Sequence, residues 1–210
     1  RSKSLIAQKR FLAARTLLEA TPKEERASQH ILYLAISIYG QGGARVDRDA
    51  FYEVLADVKI EELPRGDRPW YSLLEGLKAE LESKPDLAAI AFEKAASEVE
   101  SPMLRAHFES LALRHELLSG EADEALAAEL GAKLNKFEGE AVAYPFVREY
   151  AVALSRQGRI AEAIGALDRE LANTAAGYSI GEREQLRLLK GIILGADSVT
   201  GRAALKELIR

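Results

Sequence analysis

Apolar residues recur at helical spacing along the chain, and the alternating runs with hairpin dipeptides that mark β-strands are missing. Capping residues and prolines mark helix starts, as in Thr21-Pro22-Lys23-Glu24 and in the capping-box spacing of Ser179 and Glu182. The pattern predicts an all-α protein of about eleven helices. Their expected ranges are 3–20, 23–40, 47–58, 68–82, 85–99, 102–119, 121–136, 142–157, 159–173, 180–194 and 199–209.

Two series of residues recur at a nearly constant interval. An alanine is followed four positions later by a large apolar residue at Ala14/Leu18, Ala50/Val54, Ala88/Phe92, Ala163/Leu167 and Ala204/Leu208, with a degenerate member at Ala125. The turn before these helices carries a small residue at Gly43, Ser83, Gly120, Gly158 and Gly195. A period of about 38 predicts stacked helical hairpins that are joined by tight turns, often with a left-handed glycine. The alanine suits a close helix crossing, and the large residue fills the groove one turn later.

The segment 144–177, YPFVREYAVALSRQGRIAEAIGALDRELANTAAG, resembles a tetratricopeptide repeat (TPR). Its residues 157–164 are similar to the inter-helix turn and second-helix opening of that family, with Ala163 and Leu167 at the two packing positions. The segment 10–22, RFLAARTLLEATP, resembles the second helix and exit proline of another repeat. The resemblance implies a TPR-like solenoid, a right-handed α-α superhelix of about five helix pairs. HEAT-like or other helix-pair solenoids remain alternatives.

The repeat pattern predicts one helical-repeat domain over residues 1–210. The segment 59–69, KIEELPRGDRP, is the strongest break, with two prolines and a glycine. The period continues across it, which favours a long inter-repeat loop over a hinge between two subdomains. Because the sequence begins at Arg1 and shows no leader, we interpret it as a piece of a longer chain.

Composition narrows the classes of partner. Apolar residues make up 48% and charged residues 30% of the 210 residues, which is typical of a folded globular protein. The net charge of −4 leaves no basic surface for nucleic acid. The longest strongly apolar run, residues 31–38, is too short to enter a membrane as a span. The absence of cysteine is compatible with a cytoplasmic or a periplasmic location. Association of the chain with a second copy of itself remains an alternative to a different partner.

No catalytic constellation is evident in the sequence. The glycines at 40, 42 and 43 lack the lysine of a phosphate-binding loop. His30, His107 and His115 lack the spacing of metal ligands on one helical face. Acidic pairs occur where solvated helix starts are expected. We therefore predict no enzyme activity, no metal and no cofactor.

The resemblance implies that the first helix of each pair lines a concave groove. The candidate partner-binding residues are Arg148, Val152, Ser155, Arg156, Arg114, His107, Ser110, Trp70 and Tyr39. Guanidinium groups suit the carboxylates of an acidic or C-terminal peptide, although these arginines could instead pair with local glutamates. Trp70 could equally be a core anchor. The expected function is a non-catalytic protein–protein interaction module, and the alternative is a structural spacer of a larger, cell-envelope, multidomain protein.

Overall fold

The computed structural model describes residues 1–120 and 123–195, and these residues form eleven α-helices and no strand. The prediction of an all-α protein is confirmed. The helices are α1 (Ser2–Ala7), α2 (Phe11–Glu19), α3 (Ser28–Gly42), α4 (Arg48–Ala56), α5 (Arg68–Leu81), α6 (Pro85–Glu98), α7 (Pro102–Ser119), α8 (Glu124–Lys136), α9 (Ala143–Arg156), α10 (Ile160–Ala172) and α11 (Ile180–Leu194). The predicted helix 199–209, with Ala204/Leu208, lies outside the described residues. The chain divides into two compact units, Arg1–Phe108 (unit 1) and Glu109–Arg210 (unit 2).

The first predicted helix, 3–20, is wrong as one element. The chain turns at Lys9, whose φ of 57° is left-handed, and α1 folds back to contact both α2 and α3. Ile6 packs against the hydrophobic core of unit 1. A continuous helix would carry this side chain away from that core. Burial of apolar surface therefore offsets the local cost of the break.

The predicted start of the second helix at residue 23 is also wrong. Residues Lys23–Glu25 form a single 3-10 turn, and α3 begins at Ser28. Between them Arg26 is extended, and its Nε donates to the carbonyl of Thr21 at 2.9 Å. Its Nη2 donates to the carbonyl of Glu19. The guanidinium thus satisfies carbonyl groups at the end of α2, which the helix itself leaves without partners.

The same helix-ending turn occurs after α1, α5 and α9. Its central residue is left-handed in each case, with φ of 57° at Lys9, 58° at Ser83 and 76° at Gly158. The N–H of the following residue donates to the carbonyl five positions back at 2.9 Å: Arg10 to Leu5, Lys84 to Ala79 and Arg159 to Leu154. This hydrogen bond characterises the Schellman motif. Gly195, in contrast, has a φ of −85°.

A buried alanine lies five residues after each of these left-handed positions. Ala14, Ala88 and Ala163 are all 0% exposed. The large residues four positions later are also buried, namely Leu18, Phe92 and Leu167. The predicted packing pairs therefore occupy core positions in α2, α6 and α10.

In α4 the packing pair lies one residue later than predicted. Phe51 and Leu55 are 0% exposed, whereas Ala50 and Val54 are only half-buried. Phe51 fits into an aromatic cluster and lies 5.5 Å from the ring of Tyr39. The larger apolar area of Phe51 favours the register that buries it instead of Ala50. The predicted pair Ala50/Val54 is therefore displaced toward the surface of unit 1.

Consecutive helices of unit 1 pack as hairpins, α1 with α2, α3 with α4 and α5 with α6. The first helices of these hairpins are also in contact, because α3 contacts both α1 and α5, and α2 packs against α3. The proline-containing segment 59–69 is bonded to α3, because Ser28 Oγ donates to Glu62 Oε2 at 2.7 Å and Tyr33 Oη donates to Asp67 at 3.0 Å. Leu63 and Asp67 are each 3% exposed. This segment is thus a packed part of unit 1.

Unit 2 is organised around α9, which contacts α8, α10 and α11. Nine of its fourteen residues are buried. The predicted capping box at the start of α11 is confirmed, because Ser179 and Glu182 bond each other's backbone N–H groups. The Tyr178 hydroxyl donates to the buried Glu170 at 2.6 Å and so attaches the loop before α11 to α10.

Candidate functional site

Three of the nine predicted groove residues are buried. Val152 is 1%, Ser110 3% and Ser155 8% exposed. Val152 and Ser155 belong to α9, which unit 2 covers with three other helices. The prediction that these side chains line an open groove is wrong for this reason. Counting positions from one repeat cannot show how many neighbours cover a helix.

The arginines of α9 are held by unit 2 itself. Arg148 Nη2 lies 3.0 Å from Oε1 of Glu149. Arg156 Nη1 donates to the backbone carbonyl of Leu117, and its charge also acts on Glu149. The charge of Arg114 acts on Glu149 as well. The charges of all three predicted arginines thus act on Glu149, a carboxylate of the same unit. This agrees with the alternative stated above, in which the arginines pair with local glutamates.

Glu149 is a site residue that the sequence analysis missed. Its side chain is 3% exposed, and Oε2 has no hydrogen-bond partner among the described residues. Burial raises the pKa of Glu149, while Arg148 and Arg114 partly oppose this shift. Glu149 lies three residues after the buried Phe146 and three before the buried Val152. An acidic residue on an apolar helix face was the signal that could have identified it.

Trp70 and Tyr39 are core anchors of unit 1. Trp70 meets Phe108 edge-on, with ring centroids 6.0 Å apart, and both Trp70 and Tyr39 pack against the hydrophobic core. Burial raises the pKa of Tyr39 to about 12. His107 lies at the surface. The aromatic residues of the predicted set therefore contribute to packing, as expected for partly buried rings.

An open cleft lies in unit 1 between α2 and α4, above α3. Its volume is about 440 Å³, which is in the range of binding pockets. The floor is apolar and is formed by Ile31, Leu34, Ile38, Ala50 and Val54. Ile31 and Val54 are only half-buried, so part of this apolar surface is open to solvent. The floor includes both members of the displaced pair in α4.

A cation closes one end of this cleft. Lys23 Nζ lies 3.0 Å from Glu53 Oε1 and 3.1 Å from Asp57 Oδ2; Glu53 belongs to α4, and Asp57 follows its last residue. These hydrogen bonds raise the pKa of Lys23. The Lys23 side chain is 59% exposed. The bridge therefore lies at the surface, where ion pairs are weak and screened by salt.

The other charged residues of the rim are engaged with groups on their own side of the cleft. Arg15 Nε lies 2.7 Å from Glu19 Oε1, and its Nη1 donates to Gln41. Arg26 is bonded to two backbone carbonyls at the end of α2. Lys23 is thus the rim cation that spans from the α2 side to α4.

Other classes of site receive no support from residues 1–120 and 123–195. No group of three or more histidine, aspartate or glutamate side chains in these ranges could hold a metal ion. No helix there is long and apolar enough to cross a bilayer. Comparison with protein-family models, with curated proteins and with solved structures found no match to this chain.

Proposed function

We propose that this chain is a TPR-like helical-repeat protein that acts as a non-catalytic interaction module for a peptide or protein segment. The recurrent turn supports the repeat, because its left-handed residues Lys9, Ser83 and Gly158 are 74 and 75 residues apart. Each interval is about two periods of the sequence pattern. The pairing of helices into hairpins inside each unit agrees with this proposal. The right-handed stacking that the resemblance implies is part of it.

The cleft of unit 1 is the observation that carries the functional proposal. Its apolar floor offers burial to the side chains of a partner, and its charged rim offers orientation. A volume of about 440 Å³ accommodates several side chains of a bound segment. The rim charges are paired with one another, an arrangement that suits recognition of a partner better than acid–base chemistry.

Selection of peptides from a displayed library of random 12-residue sequences tests this function. The protein is used as bait, and Ala50→Arg serves for counter-selection because the new side chain would fill the cleft while the buried Phe51 and Leu55 keep their places. The matched control is Ala161→Arg, at an exposed position of α10 in unit 2. We expect peptides that bind the native chain and Ala161→Arg with equal affinity and lose binding to Ala50→Arg. Failure to obtain any such peptide would contradict the proposed function.

A structural spacer is the second candidate, and the cluster around Glu149 favours it. In unit 2 Arg148, predicted to receive a partner's carboxylate, contacts Glu149, and the charges of Arg114 and Arg156 act on the same carboxylate. A self-filled surface of this kind is expected of a spacer. The library distinguishes the two functions, because a spacer yields no peptide whose binding depends on the cleft.

A further inference from the structure

We infer that the cleft of unit 1 accepts an apolar segment that carries a lysine or arginine, and that this basic group replaces Lys23 between Glu53 and Asp57. The inference rests on the proposed function and names the chemistry of its partner. Lys23 then acts as an internal substitute for the basic group of the partner.

The first argument comes from the two carboxylates that contact Lys23. Glu53 and Asp57 are separated by one helical turn, so their like charges repel and a cation between them is favoured. Their side chains are 71% and 44% exposed, which leaves them open to a group from outside the chain. A partner's ammonium or guanidinium group offers the same contacts as Lys23.

The nature of the Lys23 bridge provides the second argument. Lys23 belongs to a three-residue 3-10 turn without a side-chain cap, and its own side chain is mostly exposed. Its departure therefore uncovers no buried group. Exchange of one exposed cation for another costs little, since such pairs are individually weak in water.

The remaining rim charges favour a basic partner over an acidic one. Arg26 holds two carbonyl groups at the end of α2, so its recruitment by an acidic partner would leave these groups without their side-chain donor. Recruitment of Lys23 by an acidic partner would leave the neighbouring carboxylates of Glu53 and Asp57 without a cation. A basic partner displaces Lys23 and keeps both carboxylates paired.

The apolar floor of the cleft determines which other side chains the bound segment should carry. Ile31 and Val54 are half-buried and lie beside the buried Leu34 and Ile38. Burial of a partner's aliphatic side chains on this floor supplies affinity, while the charge pair supplies orientation. A segment with large aliphatic residues and one adjacent lysine or arginine matches both features.

The library peptides described above test this chemistry by fluorescence anisotropy. Peptides that depend on the cleft should be enriched in lysine or arginine next to aliphatic residues. The double variant Glu53→Gln/Asp57→Asn should weaken their binding about threefold, and Lys23→Ala should strengthen it about threefold. Binding to the native chain should also weaken as sodium chloride is raised.

The control is Lys59→Ala, which removes an exposed lysine paired with Glu62 outside the cleft and should leave affinity unchanged. Circular dichroism confirms that each variant is folded. If cleft-dependent peptides lack basic residues, or if they bind the double variant as tightly as the native chain, the inference is overturned while the proposed function stands. If no peptide depends on the cleft, both are overturned. A Lys23→Ala variant with altered unfolding but unaltered affinity assigns Lys23 a purely structural role and also overturns the inference.

Discussion

Replacing Ser83 with glycine should stabilise unit 1. Ser83 has a φ of 58°, and the turn requires it because Lys84 N–H donates to Ala79. A left-handed conformation costs a non-glycine residue about 1–2 kcal/mol. Glycine avoids this cost but loses about 0.5–1 kcal/mol more backbone entropy on folding. The balance predicts that Ser83→Gly raises the free energy of unfolding by about 0.5–1 kcal/mol. The equivalent turn after α9 already contains Gly158.

Urea unfolding followed by tryptophan fluorescence measures this effect in unit 1. Trp70 is the single tryptophan of the chain and lies on α5, the hairpin partner of α6. If the free energy of unfolding falls by about 2 kcal/mol per molar urea, the unfolding midpoint should rise by about 0.25–0.5 M.

The matched control is Ser97→Gly. Ser97 is exposed and lies in the last turn of α6, where the same substitution should lower stability by about 0.5 kcal/mol. If both variants lower the midpoint, the left-handed turn at residue 83 is refuted.

Three further predictions concern packing and charge. A Cβ atom on Gly76 would lie 2.4 Å from the ring of Phe92, so Gly76→Ala should lower the free energy of unfolding in urea by about 1–3 kcal/mol. In the control Gly165→Ala the new Cβ would have no atom within 4 Å, so the free energy of unfolding should stay the same or rise. Ala163→Leu should overpack the crossing of α9 and α10 and also lower the free energy of unfolding by about 1–3 kcal/mol. An unchanged urea midpoint of unfolding would contradict the burial of Ala163 at this crossing. Because burial raises the pKa of Glu149 above its ordinary value of 4.5, its ionisation opposes folding, and this contribution grows as the pH rises past 4.5. Glu149→Gln should therefore gain stability relative to the native chain as the pH rises above 4.5, and a difference that does not change with pH would argue against the shift.

Most helices with local start signals were predicted closely, although the signal at Thr21-Pro22-Lys23-Glu24 is followed only by a 3-10 turn. Proline at the first turn marks α6 and α7, which begin at Pro85 and Pro102 as expected, and the capping box at Ser179 marks α11. These signals work within one helical turn and need no distant partner. The first predicted helix was wrong for the opposite reason, because the break at Lys9 depends on the contacts of α1 with α2 and α3. The late start of α3 has a local cause: Arg26 donates to the carbonyl groups of Thr21 and Glu19, five and seven residues back, and these bonds compete with the capping signal at Thr21.

The candidate sites were less predictable than the helices. The sequence indicated three arginines as partner-facing residues. The place of Glu149 on an apolar helix face was a local sign of its burial, but no local pattern showed that the charges of Arg114 and Arg156 would act on its carboxylate. The cleft was also missed, because its floor depends on the one-residue offset that buries Phe51 and leaves Val54 open. Burial of a side chain is decided by all the elements around it, and most of these are distant in sequence.

The sequence by itself determined that this protein is helical, where most helices begin and end, and which alanine and large apolar pairs pack in α2, α6 and α10. Those features follow from backbone capping, glycine and proline geometry and helical periodicity, which act over a few residues. The tertiary structure alone decided which faces of α4 and α9 are covered. It thereby placed an apolar cleft with a lysine bridge at its rim in unit 1 and buried a carboxylate beside an arginine in unit 2. Such environments arise only when helices from separate parts of the chain pack together, because burial and charge proximity are properties of the assembled fold.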